Sequence, residues 1–281
     1  GHQVAVVDDF SSGTHRAPGV TYHELDISTR GAEQRLAEIF RGAEAVFHLA
    51  ALVGVQNCFR NPARSLEVNV IGSHNVLEAC AGVNVPLIDI TSSSVYGKAP
   101  NPTREDSDVL YGDPGDASWA YGFHKAVAEG LARAKNAKVV RPFNSIGPRQ
   151  RGDYGFVVPR FIAQAKRGED LTVYGDGTQT RSFCDVRDMV RGILLAWEKG
   201  APGEAYNVGS PHEVSINELA KIVLRLTGSK SKVSYVHRDL AIGIGYQETM
   251  RRQPDLTKIQ GLGFALKHSL EDSIRDIIRL S

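Results

Sequence analysis

Short apolar and β-branched runs alternate, along the first half of the chain, with stretches whose apolar residues recur every three or four positions. Val4–Val7, Val20–Leu25, Ala45–Leu49, Leu87–Thr91 and Val139–Phe143 read as strands, and Glu33–Phe40 reads as a helix. Leu66, Val70, Ser73, Leu77 and Cys80 fall on one helical stripe, with Asn69 on the same helix. A strand that is apolar throughout, as Ala45–Leu49 nearly is, suits a parallel sheet covered on both faces. Alternation of such strands with helices predicts the α/β class and a doubly wound parallel sheet.

After residue 150 the pattern loosens. Gly152–Gly155 and the run Tyr174-Gly-Asp-Gly-Thr are rich in loop formers, and the elements around them are short. Ser215 is followed three residues later by Glu218, and Ser269 by Asp272. This is the capping box, in which a hydroxyl and a carboxylate satisfy each other's backbone N–H groups, so helices are predicted to begin there. The expected organisation is one α/β part over 1–150, with a return of the chain to it near 182–210, and a smaller α/β part over 151–281. No repeat, low-complexity tract or free linker separates them, so the parts should pack together.

Composition narrows the function classes. With 33 basic and 32 acidic residues in 281, no global field attracts nucleic acid or a membrane surface, and recognition must come from local sites. The longest apolar run, Ala45–Val55, is interrupted by His48 and falls short of the roughly 18 residues that cross a bilayer. Cys58, Cys80 and Cys184 are far apart and in no metal-ligand spacing, which suggests packing roles in a reducing cytosol and no metal. The opening run, with β-branched and acidic residues, is no signal peptide.

The chemistry is concentrated in Trp119-Ala-Tyr-Gly-Phe-His-Lys125. Tyr121 and Lys125 are four apart and share a helix face, close enough for an ammonium to favour the phenolate and make a base. Hydroxyls at the carboxyl end of a parallel strand stand where open α/β sheets bind ligands, which places Ser92 beside Tyr121. Asp8, at the end of a strand, is where a carboxylate can accept both hydroxyls of an adenosine ribose. Asp26 and Ile27 end the next strand, in reach of the adenine edge. Ala50 and Ala51 are small enough to admit a flat ligand to the backbone.

In chain order, these residues resemble the extended short-chain dehydrogenase/reductase family, and within it the nucleotide-sugar epimerases and dehydratases. The carriers are Val6-Val-Asp-Asp-Phe-Ser-Ser-Gly, Asp26-Ile27, Phe47-His-Leu-Ala-Ala, Asn69-Val-Ile-Gly, Ser92-Ser-Ser-Val-Tyr-Gly and Tyr121-x-x-x-Lys125. Arg141-Pro-Phe-Asn-Ser-Ile-Gly-Pro-Arg, Leu171-Thr-Val-Tyr-Gly-Asp-Gly-Thr-Gln-Thr-Arg and Tyr206-Asn-Val-Gly-Ser complete them. The resemblance implies a Rossmann-like fold, NAD as cofactor, Tyr121 as base, Lys125 lowering its pKa and holding the nicotinamide ribose, and Ser92 on the sugar hydroxyl. Asp8, Asp26, Ile27, Ala50, Ala51 and Asn69 would line the dinucleotide. Asn144, Arg181 and one of Arg251 and Arg252, with Arg252 preferred, would bind the diphosphate of a UDP sugar, with Tyr174 against the base. A homodimer through the helices near Leu66–Cys80 and Tyr121–Ala134 is implied by the same analogy.

Two departures shape the expectation. Dehydratases of this family carry an Asp-Glu pair after the serine, and decarboxylases usually a Glu, whereas this chain has Ser93 and Ser94. The expected reaction is therefore epimerisation at C4 of a UDP-hexose or UDP-hexuronate through a 4-keto intermediate. Decarboxylation, dehydration and a non-catalytic dinucleotide-binding relative are the alternatives. The family also opens with a strand and a glycine-rich turn that hold the pyrophosphate, and these are not seen here. That strand is central in a 3-2-1-4 order, so an interrupted sheet and an incomplete record of a longer protein are expected.

Overall fold

A computed structural model of the chain describes residues 1–150, 152 and 156–281; of the Gly152–Gly155 run, only Gly152 lies within them. The first half runs β1 (Ala5–Asp8), β2 (Thr21–Glu24), α1 (Ala32–Phe40), β3 (Val46–His48), α2 (Val55–Arg60) and α3 (Pro62–Leu66). A π-helical stretch, Glu67–Gly72, leads into α4 (Ser73–Val83), β4 (Leu87–Ile90), α5 (Ala120–Ala134), β5 (Lys138–Pro142) and β6 (Ser145–Ile146). Then come α6 (Val157–Arg167), β7 (Leu171–Tyr174), β8 (Thr180–Ser182), β9 (Cys184–Asp185), α7 (Val186–Lys199) and β10 (Ala205–Val208). The chain ends with β11 (Glu213–Ser215), α8 (Ile216–Thr227), β12 (Val233–Val236), α9 (Arg238–Ala241), α10 (Thr257–Gly261) and α11 (Leu270–Leu280).

The main sheet is parallel in the order β10-β5-β4-β3, so the chain returns to it after β9. Both faces carry apolar cores, which is why its strands are largely apolar, with His48, Asp89, Arg141 and Asn207 as buried polar exceptions. Leu87 and Val139 pack with Leu36 of α1 and Val76, Leu77 and Cys80 of α4. Ile88 and Val140 point the other way, onto Met189 and Ile193 of α7. Parallel strands β1 and β2 form a separate pair. Among the described residues β1 pairs with β2 alone and β3 with β4 alone. An unpaired parallel edge leaves a row of backbone groups open to water.

A further core joins α6, α8 and α11 through Phe161, Ile162, Leu219, Val223, Ile274 and Ile277, with Leu171 and Val173 of β7. Both predicted capping boxes are formed: Ser215 with Glu218, and Ser269 with Asp272. One buried polar network fixes the elements around the site. Arg141 on β5 donates to Glu129 on α5 at 3.0 Å and to the Tyr96 hydroxyl at 2.7 Å, and Tyr96 donates to Asn207 on β10 at 2.7 Å. Each charge in it has a partner, which a buried ion pair requires.

Candidate active site

Two close approaches put the hydroxyl and the phenol together. Beyond β4 the chain turns through a 3₁₀ segment, Ser93–Tyr96, capped by Ser92, whose side chain accepts from Ser94 N at 3.1 Å. α5 abuts this turn at Gly122, where an added Cβ would lie 2.7 Å from the Ser94 carbonyl oxygen. Any side chain there would drive the helix away. Tyr121 precedes that glycine, and Ser92 hydrogen-bonds its hydroxyl.

The phenol departs from expectation. Burial pushes the Tyr121 pKa up to about 12, against the hydrogen bond from Ser92 and the charge of Arg252. Desolvation disfavours the phenolate more than these groups favour it. Lys125 lies one turn on, is 1% exposed, and donates to the carbonyl of Ile90 at 2.9 Å. Burial lowers its pKa, and the charges of Asp89 and Glu129 resist.

Ser92 and Tyr121 line a cavity of about 510 Å³ together with Asn144, Tyr174, Arg181 and Arg252. Sequence positions 160 apart are thus brought to one space. Arg252 donates to Ser94 Oγ at 3.2 Å and to Thr249 at 3.4 Å; burial first, then the charge of Arg181, pushes its pKa down to about 10. Arg251 instead lies exposed, pairs with Glu213 at 2.7 Å and is not part of the cavity's lining. Arg181 pairs with Glu248 and donates to the Thr180 carbonyl at 2.7 Å. Asn144 donates to the Ser182 carbonyl at 2.9 Å, and the Arg160 guanidinium lies 3.8 Å from the centre of the Tyr174 ring.

The residues expected along a dinucleotide lie outside this cavity's wall. Asp8 is exposed at the end of β1, with Oδ1 accepting from Phe10 N at 2.7 Å. Ala50 and Ala51 follow β3 and are half-buried. The side chains of three of these residues are engaged within the protein. Asp26 is taken up by Arg64 at 2.6 Å and by Ser28. The Ile27 side chain is buried in the core against Gly72, where a Cβ would come within 2.8 Å of it. Asn69 is fully buried: its amide accepts from Leu52 N at 2.9 Å and donates to Leu52 O at 3.0 Å and Ser65 Oγ at 3.2 Å. With these bonds made, Asn69 ties the segment after β3 to its own helix.

Sequence reasoning missed Glu248 and Arg160, whose roles depend on contacts between distant loops and helices. It also missed Asp89, although one acidic residue inside the apolar run Leu87–Thr91 is a visible signal.

The sequence model of the NAD dependent epimerase/dehydratase family matches residues 1–209. The chain belongs to that family. This epimerase/dehydratase family member is 35% identical to the UDP-N-acetyl-alpha-D-glucosaminuronate decarboxylase of Bacillus cytotoxicus, over 99% of this chain and 90% of that protein. It is 31% identical to UDP-glucuronic acid decarboxylase 1 of Xenopus tropicalis over 92% of this chain, and spans 61% of that protein's length. Among solved structures, the UDP-glucose 4-epimerase of Thermotoga maritima with UDP-glucose superposes with a TM-score of 0.87 at 30% identity, over 100% of this chain and 91% of that one. Among the described residues of this family member, no helix is long and apolar enough to cross a membrane, and no three His, Cys, Asp or Glu residues converge as a metal site.

Proposed function

We propose that the chain oxidises C4 of a UDP-linked hexuronate and releases the sugar carboxylate as carbon dioxide. The observation that carries this reading is Arg252, a half-buried guanidinium bonded to Ser94, two residues from Ser92, with its charge acting on Tyr121. A sugar carboxylate, and the enolate left when it departs, are anions that a guanidinium in an enclosed site stabilises. The two decarboxylase relatives favour the same chemistry.

The residues present fit NAD. Among the described residues the Lys125 ammonium makes one hydrogen bond, so two of its three N–H groups remain for a ribose diol. Asp8 stands exposed for the adenosine ribose, and Ala50 and Ala51 give a flat ligand room. NAD, when bound, supplies the acceptor for the C4 hydride and a positive ring that favours the Tyr121 phenolate against burial.

Tyr121 takes the proton of the C4 hydroxyl while Ser92 holds that oxygen. The ketone so formed lies β to the carboxylate. The C5–C6 bond then breaks, carbon dioxide leaves, and the electron pair moves onto the C4 oxygen, where Arg252 faces it. Solvent would supply a proton to C5, and the hydride removed in the first step would return to C4 as Tyr121 gives its proton back to the oxygen. Removing water would require an acid and a base at positions 93 and 94, which two serines do not supply near neutral pH. Loss of carbon dioxide from a β-keto acid requires neither. The serines therefore argue against dehydration and leave decarboxylation open.

Epimerisation at C4 is the second reading, favoured by Ser93 and Ser94 and by the likeness to a UDP-glucose 4-epimerase. Under either reading Asn144 and Arg181 hold the diphosphate and Tyr174 faces uracil. Pairing of two copies through the helices around α4 and α5 belongs to this reading too, supported by Leu66, Ile71, Val127 and Leu131 standing exposed there. The test is incubation with NAD and, separately, UDP-glucuronate and UDP-N-acetylglucosaminuronate, with products read by mass spectrometry. A UDP-pentose with carbon dioxide is expected. A C4 epimer of unchanged mass selects the second reading, and an unsaturated product would sink both.

A further inference from the structure

Next to the active centre lies a carboxylate that the proposed chemistry leaves unused. Asp89 sits in β4, is 2% exposed, and neither of its carboxylate oxygens has a hydrogen-bond partner. Such a group is costly to bury and calls for a cause. Side chains alternate along a strand, so Asp89 shares its face with Leu87, which belongs to the same core as Ala132 of α5. Lys125 precedes Ala132 by seven residues, on the same stripe of that helix. Its ammonium bonds to the carbonyl of Ile90, the residue after Asp89.

Matching the charges around Lys125 singles out one partner. The titratable groups coupled to it are Asp89 from β4, His48 from β3 and Glu129 from α5 itself, where Tyr121 stands one turn earlier. Glu129 is held by Arg141 at 3.0 Å, so its charge is already matched. His48, the partner of Asp89 in strand register, is neutral: burial and the charge of Lys125 push its pKa down to about 3, and its Nε2 meets Ser73 Oγ at 2.9 Å. Asp89 is left.

We propose that Asp89 is the counter-charge of Lys125, a positioning residue that keeps the ammonium protonated in a place that buries it. The inference rests on the reading of Tyr121 and Lys125 given above. Asp89 and Lys125 interact through space: burial raises the pKa of the carboxyl and lowers that of the ammonium, and the charge of each opposes the shift of the other. The same negative charge raises the pKa of Tyr121. Removing it therefore lowers the pKa of the lysine and of the phenol together.

The experiment is a ¹³C NMR titration of lysine-labelled protein, with Lys125 assigned through Lys125→Arg, in the wild type and in Asp89→Asn. The Lys125 midpoint is expected to fall by about one pH unit or more in Asp89→Asn, a tenfold loss of proton affinity. Both limbs of the pH–rate profile should move to lower pH, and the melting temperature should fall near neutral pH, since the buried Lys125 ammonium loses its counter-charge. A purely structural role would instead scale the rate equally at all pH values and leave the Lys125 midpoint where it is. An unchanged Lys125 midpoint in folded Asp89→Asn overturns the proposal. If that variant does not fold, the Asp89 carboxyl carbon of the wild type decides: ionised at pH 7 supports the pairing, protonated at pH 7 overturns it. The titration is read without turnover. A Tyr121→Phe enzyme that kept its rate would thus defeat the proposed chemistry and leave this result standing.

Discussion

The two sides of the active centre are built differently. On the side proposed for the sugar nucleotide, Arg181, Arg252 and Asn144 are already held by Glu248, Ser94 and the Ser182 carbonyl, around a cavity of about 510 Å³. On the side proposed for the dinucleotide, Asp8 stands exposed on a two-stranded piece of sheet, and β1 and β3 each keep an unpaired edge among the described residues. The first side depends on side chains fixed by their neighbours. The second depends on backbone continuity, which side chains cannot replace. Tyr121 and Lys125 stand between them, in a helix packed on the intact part of the sheet.

The comparison breaks most visibly at that junction. Tyr121→Phe removes the proposed proton acceptor and keeps the ring, so turnover should fall by about 10²–10⁴-fold while UDP-sugar affinity stays within about threefold. Steady-state kinetics with calorimetric titration of the UDP sugar would read both. A preserved rate would remove Tyr121 as the base.

Hydrogen exchange tests the two halves of the sheet directly. The amides of β4 and β5 lie inside a four-stranded ladder buried on both faces, whereas β1 pairs along one edge. Protection of β4 and β5 should exceed that of β1 and β2 by orders of magnitude. Equal protection would mean that the split in the sheet has no energetic consequence.

On the sugar-nucleotide side, Arg181→Gln removes the cation and leaves Glu248 without its partner. UDP affinity should drop by about 10–100-fold, the range for lost hydrogen bonds to a charged group, and NAD affinity should not change. A parallel fall in NAD affinity would show that the two sides are coupled and not built independently.

How far the sequence could be read follows the same division. The strands, the capping boxes at Ser215 and Ser269, and the convergence of Ser92 with Tyr121 were legible, because periodicity and short motifs record local structure. The fate of Asn69 was not: its position on a helical stripe says nothing of the Leu52 backbone that uses its amide. Nor was the state of Tyr121, since spacing places a lysine one turn away and does not weigh burial, which outweighs the favourable groups. Glu248 lies 67 residues from the arginine it pairs with, in a loop without periodicity. Ser93 and Ser94 show the limit for function. Their chemistry excludes one reaction, and the choice between the remaining two depends on what Arg252 faces.

Asp185 offers the smallest and most specific test, because it joins the two sides. It caps α7, which covers the sheet, by accepting from Arg187 N at 2.8 Å, and it accepts from Ser273 of α11 in the other core at 2.7 Å. Burial alone would raise its pKa, but the hydrogen bonds from Arg187 and Ser273 outweigh it and hold the carboxyl at about 2. A folded-state value below the unfolded one means stability that is present above the unfolded value, near pH 4, and lost as the pH falls towards 2. The effect is about 2 kcal/mol at most. Asp185→Asn keeps an acceptor oxygen and removes the charge, so urea unfolding should show a loss of about that size at pH 7 and little or none at pH 2. An equal loss at both pH values would assign the residue's contribution to packing. A biphasic transition in the variant at pH 7 would show that this one carboxylate makes the sheet and the α6–α8–α11 core unfold as a unit.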